Sequence, residues 1–147
     1  MKKSSSEPWM PTVDYAHSLT GLTVNMLVKD VAAHAAFVRE VLGLEIVHAD
    51  ADIAVYRHGD SQWTVHADHT YLDSGNPMEE VARSLAARGG AVELRVHHCD
   101  PDKAEAAARR GGFEILAATE NKPHGLREAY LRDTDGYIWV PDVPCQG

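Results

Sequence analysis

One pentapeptide occurs twice in the chain in nearly the same form. Residues 43–47 read GLEIV and residues 112–116 read GFEIL, so the two copies start at positions 43 and 112. A predicted helix precedes each copy and begins at an aspartate, Asp30 in the first case and Asp100 in the second. An aspartate there accepts hydrogen bonds from backbone N–H groups at the helix start, and Pro101 suits the first helical position. The repeat therefore predicts that one local unit is built twice.

Each predicted helix follows a strand in which residue types alternate, at 22–28 and at 92–98. Alternation predicts one face that packs and one wetter face. The packing face is expected to carry Leu22, Val24, Met26, Val28, Val92, Leu94 and Val96. The wetter face is expected to carry Thr23, Asn25, Leu27, Glu93, Arg95 and His97.

Three more short strands are predicted after each helix, near 44–49, 53–58, 62–68, 113–117, 127–132 and 137–141. The unit is thus β-α-β-β-β, used twice, which predicts an α+β fold with two mixed sheets. One such unit leaves a sheet face uncovered, so the two are expected to close together and form a cup.

The same patterns predict the limits of the domain. Residues 1–20 are expected to be a flexible tail, and residues 21–142 a single domain. Its parts would be a module at 21–68, a linker at 69–90 and a module at 91–142, with a short helix at 78–90 that ends at Gly89-Gly90.

Composition narrows the classes of partner. The 147 residues carry a net charge of −8, which disfavours nucleic acid as a partner and mildly favours neutral or cationic ligands. The sequence has no apolar run long enough for a membrane span. A signal peptide would have an apolar core after its N-terminal lysines, and no such core follows the lysines here. The two cysteines, Cys99 and Cys145, form no CxxC motif and suggest a reducing cytoplasm.

Two segments resemble the vicinal oxygen chelate superfamily, which includes glyoxalase I, extradiol dioxygenases and bleomycin-resistance proteins. VKDVAAHAAFVREVLGLEIV (28–47) is similar to the family's first helix and second strand. PHGLREAYLRDTDGYIWV (123–140) is similar to its closing hairpin, especially in the bleomycin-resistance branch, although Thr134 stands where that branch usually has proline. The resemblance covers roughly residues 20–142 and implies paired β-α-β-β-β modules, with a homodimer as the expected assembly.

The superfamily's enzymes hold a divalent metal with residues on the first and last strand of each module. The resemblance maps these four positions onto Thr23, His66, Glu93 and Val140, with Thr64 in place of His66 if the register slips. Only His66 and Glu93 are ordinary ligands, and a catalytic metal generally needs three from the protein. We therefore predict that the chain binds no metal and needs no cofactor. The alternative is a divalent metal held with help from neighbouring residues such as Asp68, His69, His97 or His98.

The leading hypothesis is a metal-independent protein that sequesters an amphipathic or aromatic compound, a drug or a metabolite, in a dimer cleft. The candidate ligand-binding residues are Asn25, Tyr56, Trp63, His66, Asp68, Glu93, Arg95, His97, Arg127, Glu128, Tyr130 and Val140. Within this set strand parity places Trp63, like Trp139, in the core, and the structural alternative for Arg95 is an ion pair with Glu93 or Glu128.

The alternative function is that of an enzyme, a glyoxalase-like lyase, an isomerase or a dioxygenase, with Glu93 as general base and His66 or His97 as proton partner. Whether the chain is an enzyme stays open at this stage. The ligand is expected to be a planar or aromatic organic molecule with a positive or hydrogen-bonding group, and the competing hypothesis is an anion held by Arg95 and Arg127.

Overall fold

Both copies of the repeat form a strand, a helix and three further strands, as the sequence predicted. The computed structural model describes Lys3 and residues 9–146. The chain divides into a first unit, residues 1–35 and 44–85, and a second unit, residues 36–43 and 86–147. The helices are α1 (Thr12–Ser18), α2 (Val31–Glu40), α3 (Glu79–Arg83) and α4 (Pro101–Gly111). The strands are β1 (Asn25–Val28), β2 (Glu45–Ala49), β3 (Ile53–His58), β4 (Ser61–Ala67), β5 (Glu93–His97), β6 (Glu114–Asn121), β7 (Leu126–Arg132) and β8 (Ile138–Pro144).

Each unit contains one four-stranded mixed sheet, so the α+β prediction with two repeated modules is confirmed. The strand order is β1-β4-β3-β2 in the first sheet and β5-β8-β7-β6 in the second. The first strand of each unit pairs in parallel with the last, and the remaining pairs are antiparallel. Both sheets therefore place the first and last strands of their module side by side.

The predicted aspartate caps are present at both helices. The Asp30 carboxylate accepts a hydrogen bond from the backbone N–H of Ala33 at 2.9 Å. The Asp100 carboxylate accepts from Asp102 and Lys103 at 3.0 and 3.1 Å, and Pro101 is the first residue of α4. The local sequence thus determines where each helix begins.

Several predicted boundaries differ from the structure, and β6 and β8 extend to Asn121 and Pro144, beyond their predicted ends at 117 and 141. Strand β1 begins at Asn25 instead of residue 22, so Leu22 and Val24 precede it with exposed fractions of 94% and 42%. Helix α3 ends at Arg83 because Ser84 has an extended backbone, well before the predicted stop at Gly89-Gly90. Within the segment that we expected to be a flexible tail, residues 12–18 form α1. The rest of that segment before Trp9, apart from Lys3, lies outside the described residues.

A buried hydrogen bond lies at the centre of the first unit. His34 of α2 and Tyr56 of β3 are 1% and 0% exposed, and His34 Nδ1 is 3.0 Å from the Tyr56 hydroxyl. Burial lowers the pKa of His34 to about 4. The imidazole is therefore neutral in the folded protein at neutral pH, which suits an apolar surrounding.

Aromatic and aliphatic side chains form the core of the second unit. The rings of Phe37 and Phe113 meet edge to face with centroids 4.9 Å apart, and Phe37 also contacts Trp139. Trp139 and Leu131, paired across β7 and β8, are 2% and 0% exposed. The prediction that Trp139 is a core residue is confirmed.

The turn between β7 and β8 is organised by Asp133. One carboxylate oxygen accepts from the backbone N–H groups of Asp135, Gly136 and Tyr137, each at 3.0 Å, and the other accepts from Trp139 Nε1 at 2.9 Å. Gly136 has φ of +102°, which a residue with a side chain rarely adopts. In the described part of the chain, every helix is too short or too polar to cross a membrane.

Candidate functional site

The open face of each sheet, opposite the core side chains of its unit, carries a cluster of polar groups. Residues that are paired directly across two strands have side chains on the same face. In the first sheet the register pairs Asn25 with Thr64 and Leu27 with His66. In the second it pairs Arg95 with Val140, and Asp142 with both His97 and Glu128.

Asn25 is the centre of the cluster in the first unit. Its Oδ1 accepts from Thr64 Oγ1 at 2.9 Å and from His66 Nδ1 at 2.6 Å. Its Nδ2 donates to the Tyr71 hydroxyl at 2.9 Å. Because the amide oxygen can only accept, the His66 ring donates from Nδ1, and this hydrogen bond sets the tautomer of a neutral ring. We call Asn25, Thr64, His66 and Tyr71 the Asn25 cluster.

Arg95 is the centre of the cluster in the second unit. Its guanidinium donates to Glu93 at 3.0 Å, forms a short hydrogen bond with Glu128, and lies 3.6 Å from Asp142. Tyr130 also forms a hydrogen bond with it. We call Glu93, Arg95, Glu128, Tyr130 and Asp142 the Arg95 cluster. The ion pairs anticipated between Arg95 and Glu93 or Glu128 are both present.

The Arg95 cluster has more negative than positive charge. Three carboxylates contact one guanidinium, and Glu128 and Asp142 are only 2% and 1% exposed. Burial lowers the pKa of Arg95, but its hydrogen bonds to Glu128, Glu93 and Tyr130 outweigh burial and raise it above the ordinary arginine value. Arg95 therefore stays charged, and its charge is already shared among three anions.

Two histidines lie at the border of the Arg95 cluster. His97 Nδ1 is 2.9 Å from Asp142 Oδ1, and His124 Nε2 is 3.4 Å from Glu128 Oε2. Both rings are more than half exposed, whereas both carboxylates are buried. The face is thus acidic at its centre, with an exposed histidine beside each of the two buried carboxylates. Ile138 and Val140 lie on the same face, but Val140, a predicted ligand-binding residue, is 0% exposed, so of these two only Ile138 supplies accessible apolar surface beside the charges.

Several predicted ligand-binding residues lie elsewhere. Tyr56 points into the core of the first unit, and Trp63, its cross-strand partner, shares that face, with ring centroids 5.4 Å apart. Arg127 precedes Glu128 in β7 and therefore points to the opposite face, where Asp102 of α4 binds it at 2.6 and 2.7 Å. Asp68 begins a 3-10 turn after β4 instead of continuing the strand.

The structure also brings in residues that the sequence analysis left out. Asp142 and His124 belong to the open face of the second sheet, and Thr64 and Tyr71 belong to the Asn25 cluster. Asp142 lies two residues after Val140 and on the same face, so a prediction that extended the last strand beyond residue 141 would have included it. The sequence carries no comparable signal for Tyr71, which lies in a loop.

The residues at the expected metal positions do not fit a divalent ion in either unit. In the first unit Thr23 is exposed before β1, and His66 donates to Asn25. In the second unit Glu93 is bound by Arg95, and Val140 offers only a buried alkyl group. Among residues 9–146 and Lys3, no group of three or more His, Cys, Asp and Glu side chains is placed to hold a metal ion.

The proposed helpers of a metal site have other partners. His69 Nε2 lies 2.7 Å from Asp52, and His97 contacts Asp142. His98 has φ of +56°, in a turn after β5. The residues of the alternative metal site thus make separate contacts and do not converge on one position.

Comparison with known proteins agrees with this architecture. A glyoxalase-related enzyme from Fulvimarina pelagi is 20% identical, with 84% of this chain and 87% of that chain aligned and a TM-score of 0.65. A glyoxalase/bleomycin resistance protein/dioxygenase family enzyme from Burkholderia phytofirmans PsJN is 18% identical over 83% and 96% of the two chains, with a TM-score of 0.64. A lactoylglutathione lyase from Agrobacterium tumefaciens is 20% identical over 84% and 92%, with a TM-score of 0.55. At these identities the likeness shows the fold alone.

No curated protein matches the sequence. The family profile of the Glyoxalase/Bleomycin resistance protein/Dioxygenase superfamily, in contrast, matches residues 21–140, which is most of the chain. The repeat, the two mixed sheets and this match lead to one assignment: the chain belongs to the Glyoxalase/Bleomycin resistance protein/Dioxygenase superfamily.

Proposed function

We propose that this chain binds an amphipathic or aromatic organic cation, without a metal ion, at the Arg95 cluster. The observation that carries the proposal is the sharing of one guanidinium by three carboxylates, two of them buried. A positive ligand group would relieve that excess of negative charge. Ile138 and the Tyr130 ring, both part-exposed, supply apolar and aromatic surface for the remainder of such a ligand.

The competing anionic ligand has little support in the contacts of the two arginines. Arg95 is bound by carboxylates and Arg127 by Asp102, on the other face of the sheet. An anion would have to break existing ion pairs and approach buried carboxylates, which is costly in free energy. A cation would instead be attracted by these carboxylates and would leave the ion pairs intact. The net charge of −8 also attracts it from a distance.

The test uses two dyes of opposite charge, with fluorescence titration as the measurement. Ethidium is the planar cation, 8-anilinonaphthalene-1-sulfonate is the anion, and bleomycin is added because the superfamily carries its name. We expect ethidium to bind with an affinity that falls as salt rises, because screening weakens charge attraction. Tighter binding of the anion, or binding of ethidium that salt does not change, would contradict the proposal.

A matched pair of substitutions locates the site. Glu93→Gln removes the half-exposed carboxylate of the Arg95 cluster, and Glu45→Gln removes a similar strand carboxylate in the first unit, 3.5 Å from Arg57. We expect Glu93→Gln to weaken ethidium binding about five-fold, the scale of one partly exposed charge pair, and Glu45→Gln to leave it unchanged. Equal effects of the two substitutions would place the cation elsewhere.

The proposed sequestration also includes a homodimer in a reducing cytoplasm. Both cysteines are free, which fits that compartment. Leu22 and Val24 are exposed beside β1, which is an edge strand of its sheet. Apolar side chains at a sheet edge favour a partner surface, and a second copy of the chain is the partner that we propose.

One observation favours a second candidate, a proton-transferring enzyme of the lyase or isomerase kind. The hydrogen bond from His66 Nδ1 to Asn25 leaves the basic lone pair of the neutral ring on Nε2. Such an enzyme would exchange the α-protons of a small carbonyl compound, for example dihydroxyacetone, with solvent. Exchange in deuterium oxide that His66→Gln abolishes would establish this candidate, and exchange no faster than in buffer would exclude it.

A further inference from the structure

A cavity in the first unit lies beside the end of β4, where the 3-10 turn leads into a loop. Its volume is about 360 Å³, at the lower end of the range for small-molecule pockets. It is lined by His66, Thr70, Tyr71, Ser74, Gly75 and Asn76. The cavity therefore joins the Asn25 cluster to a loop that the cation-binding proposal does not use.

Asn25 fixes the two rings that border this cavity. It accepts a hydrogen bond from His66 and donates one to the Tyr71 oxygen, so the Tyr71 hydroxyl keeps its own hydrogen for another acceptor. The rings of His66 and Tyr71 meet edge to face with centroids 5.9 Å apart. Because one amide holds both side chains, a ligand finds them already oriented, which lowers the entropic cost of binding.

The loop side of the cavity is polar and without formal charge. Thr70 Oγ1 donates to the Ala67 carbonyl at 2.8 Å, which leaves its lone pairs to accept. Ser74 Oγ donates to the Tyr71 carbonyl and accepts from the Asn76 N–H. The Asn76 side-chain oxygen accepts from Met78 N at 2.8 Å, and within the described residues its amide NH₂ has no hydrogen-bond partner.

We propose that this cavity binds an uncharged polyhydroxylated ring, a sugar or a cyclic polyol. Its donors, the Tyr71 hydroxyl and the Asn76 amide, match hydroxyl or ring oxygens of such a ligand. Its acceptor, Thr70 Oγ1, matches a hydroxyl hydrogen of the ligand. Its lining lacks Asp, Glu, Lys and Arg, so a charged group gains nothing there. This site belongs to the first unit, and its proposal does not depend on the proposed cation site in the second unit.

The test is a titration of the isotope-labelled full chain followed by amide chemical shifts. D-glucose and myo-inositol represent free polyols, and octyl β-D-glucopyranoside below its micelle concentration represents a sugar attached to a larger compound. Tetrahydropyran has the same kind of ring without hydroxyls. We expect saturable shifts confined to the amides of Asn25 and of residues 64–76, with tetrahydropyran inactive. The relative affinities of the free and attached sugars show which source the site accepts.

A matched pair of tyrosine substitutions tests the contact. Tyr71→Phe should weaken sugar binding about five-fold, the scale of one neutral hydrogen bond, whereas Tyr15→Phe in α1 should not. Asn76→Ala gives a second variant on the loop side, with the same expected direction. Shifts at amides other than Asn25 and residues 64–76, equal responses to tetrahydropyran, or unchanged affinity in both Tyr71→Phe and Asn76→Ala would overturn the proposal. Glu93→Gln should leave sugar binding unchanged, which separates failure of this site from failure of the cation site.

Discussion

Lowering the pH should destabilise the protein through the buried His34. Its pKa is about 4 in the folded protein, against 6.5 for an ordinary histidine, because burial opposes the charged ring. Between these two values the unfolded chain binds a proton that the folded chain does not. The free energy of unfolding therefore contains a contribution that is complete above pH 6.5 and is lost as the pH falls towards 4.

The size of this contribution follows from the difference between the two pKa values. Each pKa unit corresponds to about 1.4 kcal/mol, so the difference amounts to about 3 kcal/mol at pH 4. A small domain has a total stability of roughly 5–15 kcal/mol, so a loss of this size is readily measured.

The experiment compares His34→Gln with the wild-type chain by urea unfolding between pH 7 and pH 4. Glutamine can still form a hydrogen bond with the Tyr56 hydroxyl but does not titrate. We expect the stability advantage of the wild type over the variant to shrink by about 3 kcal/mol over this range. The carboxylates that titrate in the same range contribute equally to the stability of both proteins, so their contribution cancels in the difference.

A second variant isolates the titration from the hydrogen bond. Tyr56→Phe removes the 3.0 Å contact but keeps the buried imidazole, so it should lower stability by about 1 kcal/mol and retain the wild-type pH dependence. If the advantage of the wild type over His34→Gln is the same at pH 7 and at pH 4, the argument from burial is wrong. An imidazole NMR titration of His34 with a midpoint near 6.5 would contradict it directly.

Four further outcomes are expected. Gly136→Ala places a Cβ within 2.8 Å of the Arg88 backbone nitrogen at a φ of +102°, and should cost at least about 2 kcal/mol in urea unfolding. Gly59→Ala, at φ of +54° with open space around it, should cost only about 1 kcal/mol and serves as its control. Asp100→Ala removes the α4 cap and should cost about 1 kcal/mol by the same assay. Elemental analysis of protein purified without chelator should find far less than one Zn, Ni, Mn or Fe per chain. A stoichiometric metal that is lost in Glu93→Gln or His66→Gln would contradict the prediction that the chain binds no metal. Sedimentation at micromolar concentration should show a dimer that Leu22→Asp weakens; a strictly monomeric wild type would refute the dimer.

The repeat and the helix starts could be predicted because they depend on short-range chemistry. Asp30 and Asp100 cap their helices with their own carboxylates, a contact that spans only two or three residues. The alternation in residues 92–98 likewise follows from the geometry of one strand, in which successive side chains point to opposite faces. Glu93, Arg95 and His97 share the open face as expected. Such features need no knowledge of distant parts of the chain.

The composition of the open faces required the tertiary structure. Arg127 and Glu128 are adjacent charged residues that cannot share a strand face, and the alternation could not tell which one points outward. In the structure Arg127 points to the helix side, where Asp102 of α4 binds it, and Glu128 therefore points to the open face. Tyr56 lies in a strand that is apolar on both faces, and its place in the core depends on His34, which is distant in sequence.

The sequence by itself thus determined the repeated β-α-β-β-β unit and the helix caps, because these depend on residue identity and local spacing. Only the tertiary structure decided that Asp142 joins Glu128 around Arg95 and that Tyr71 joins Asn25. The physical reason is that those contacts link residues many positions apart, and strand register and loop direction bring them together.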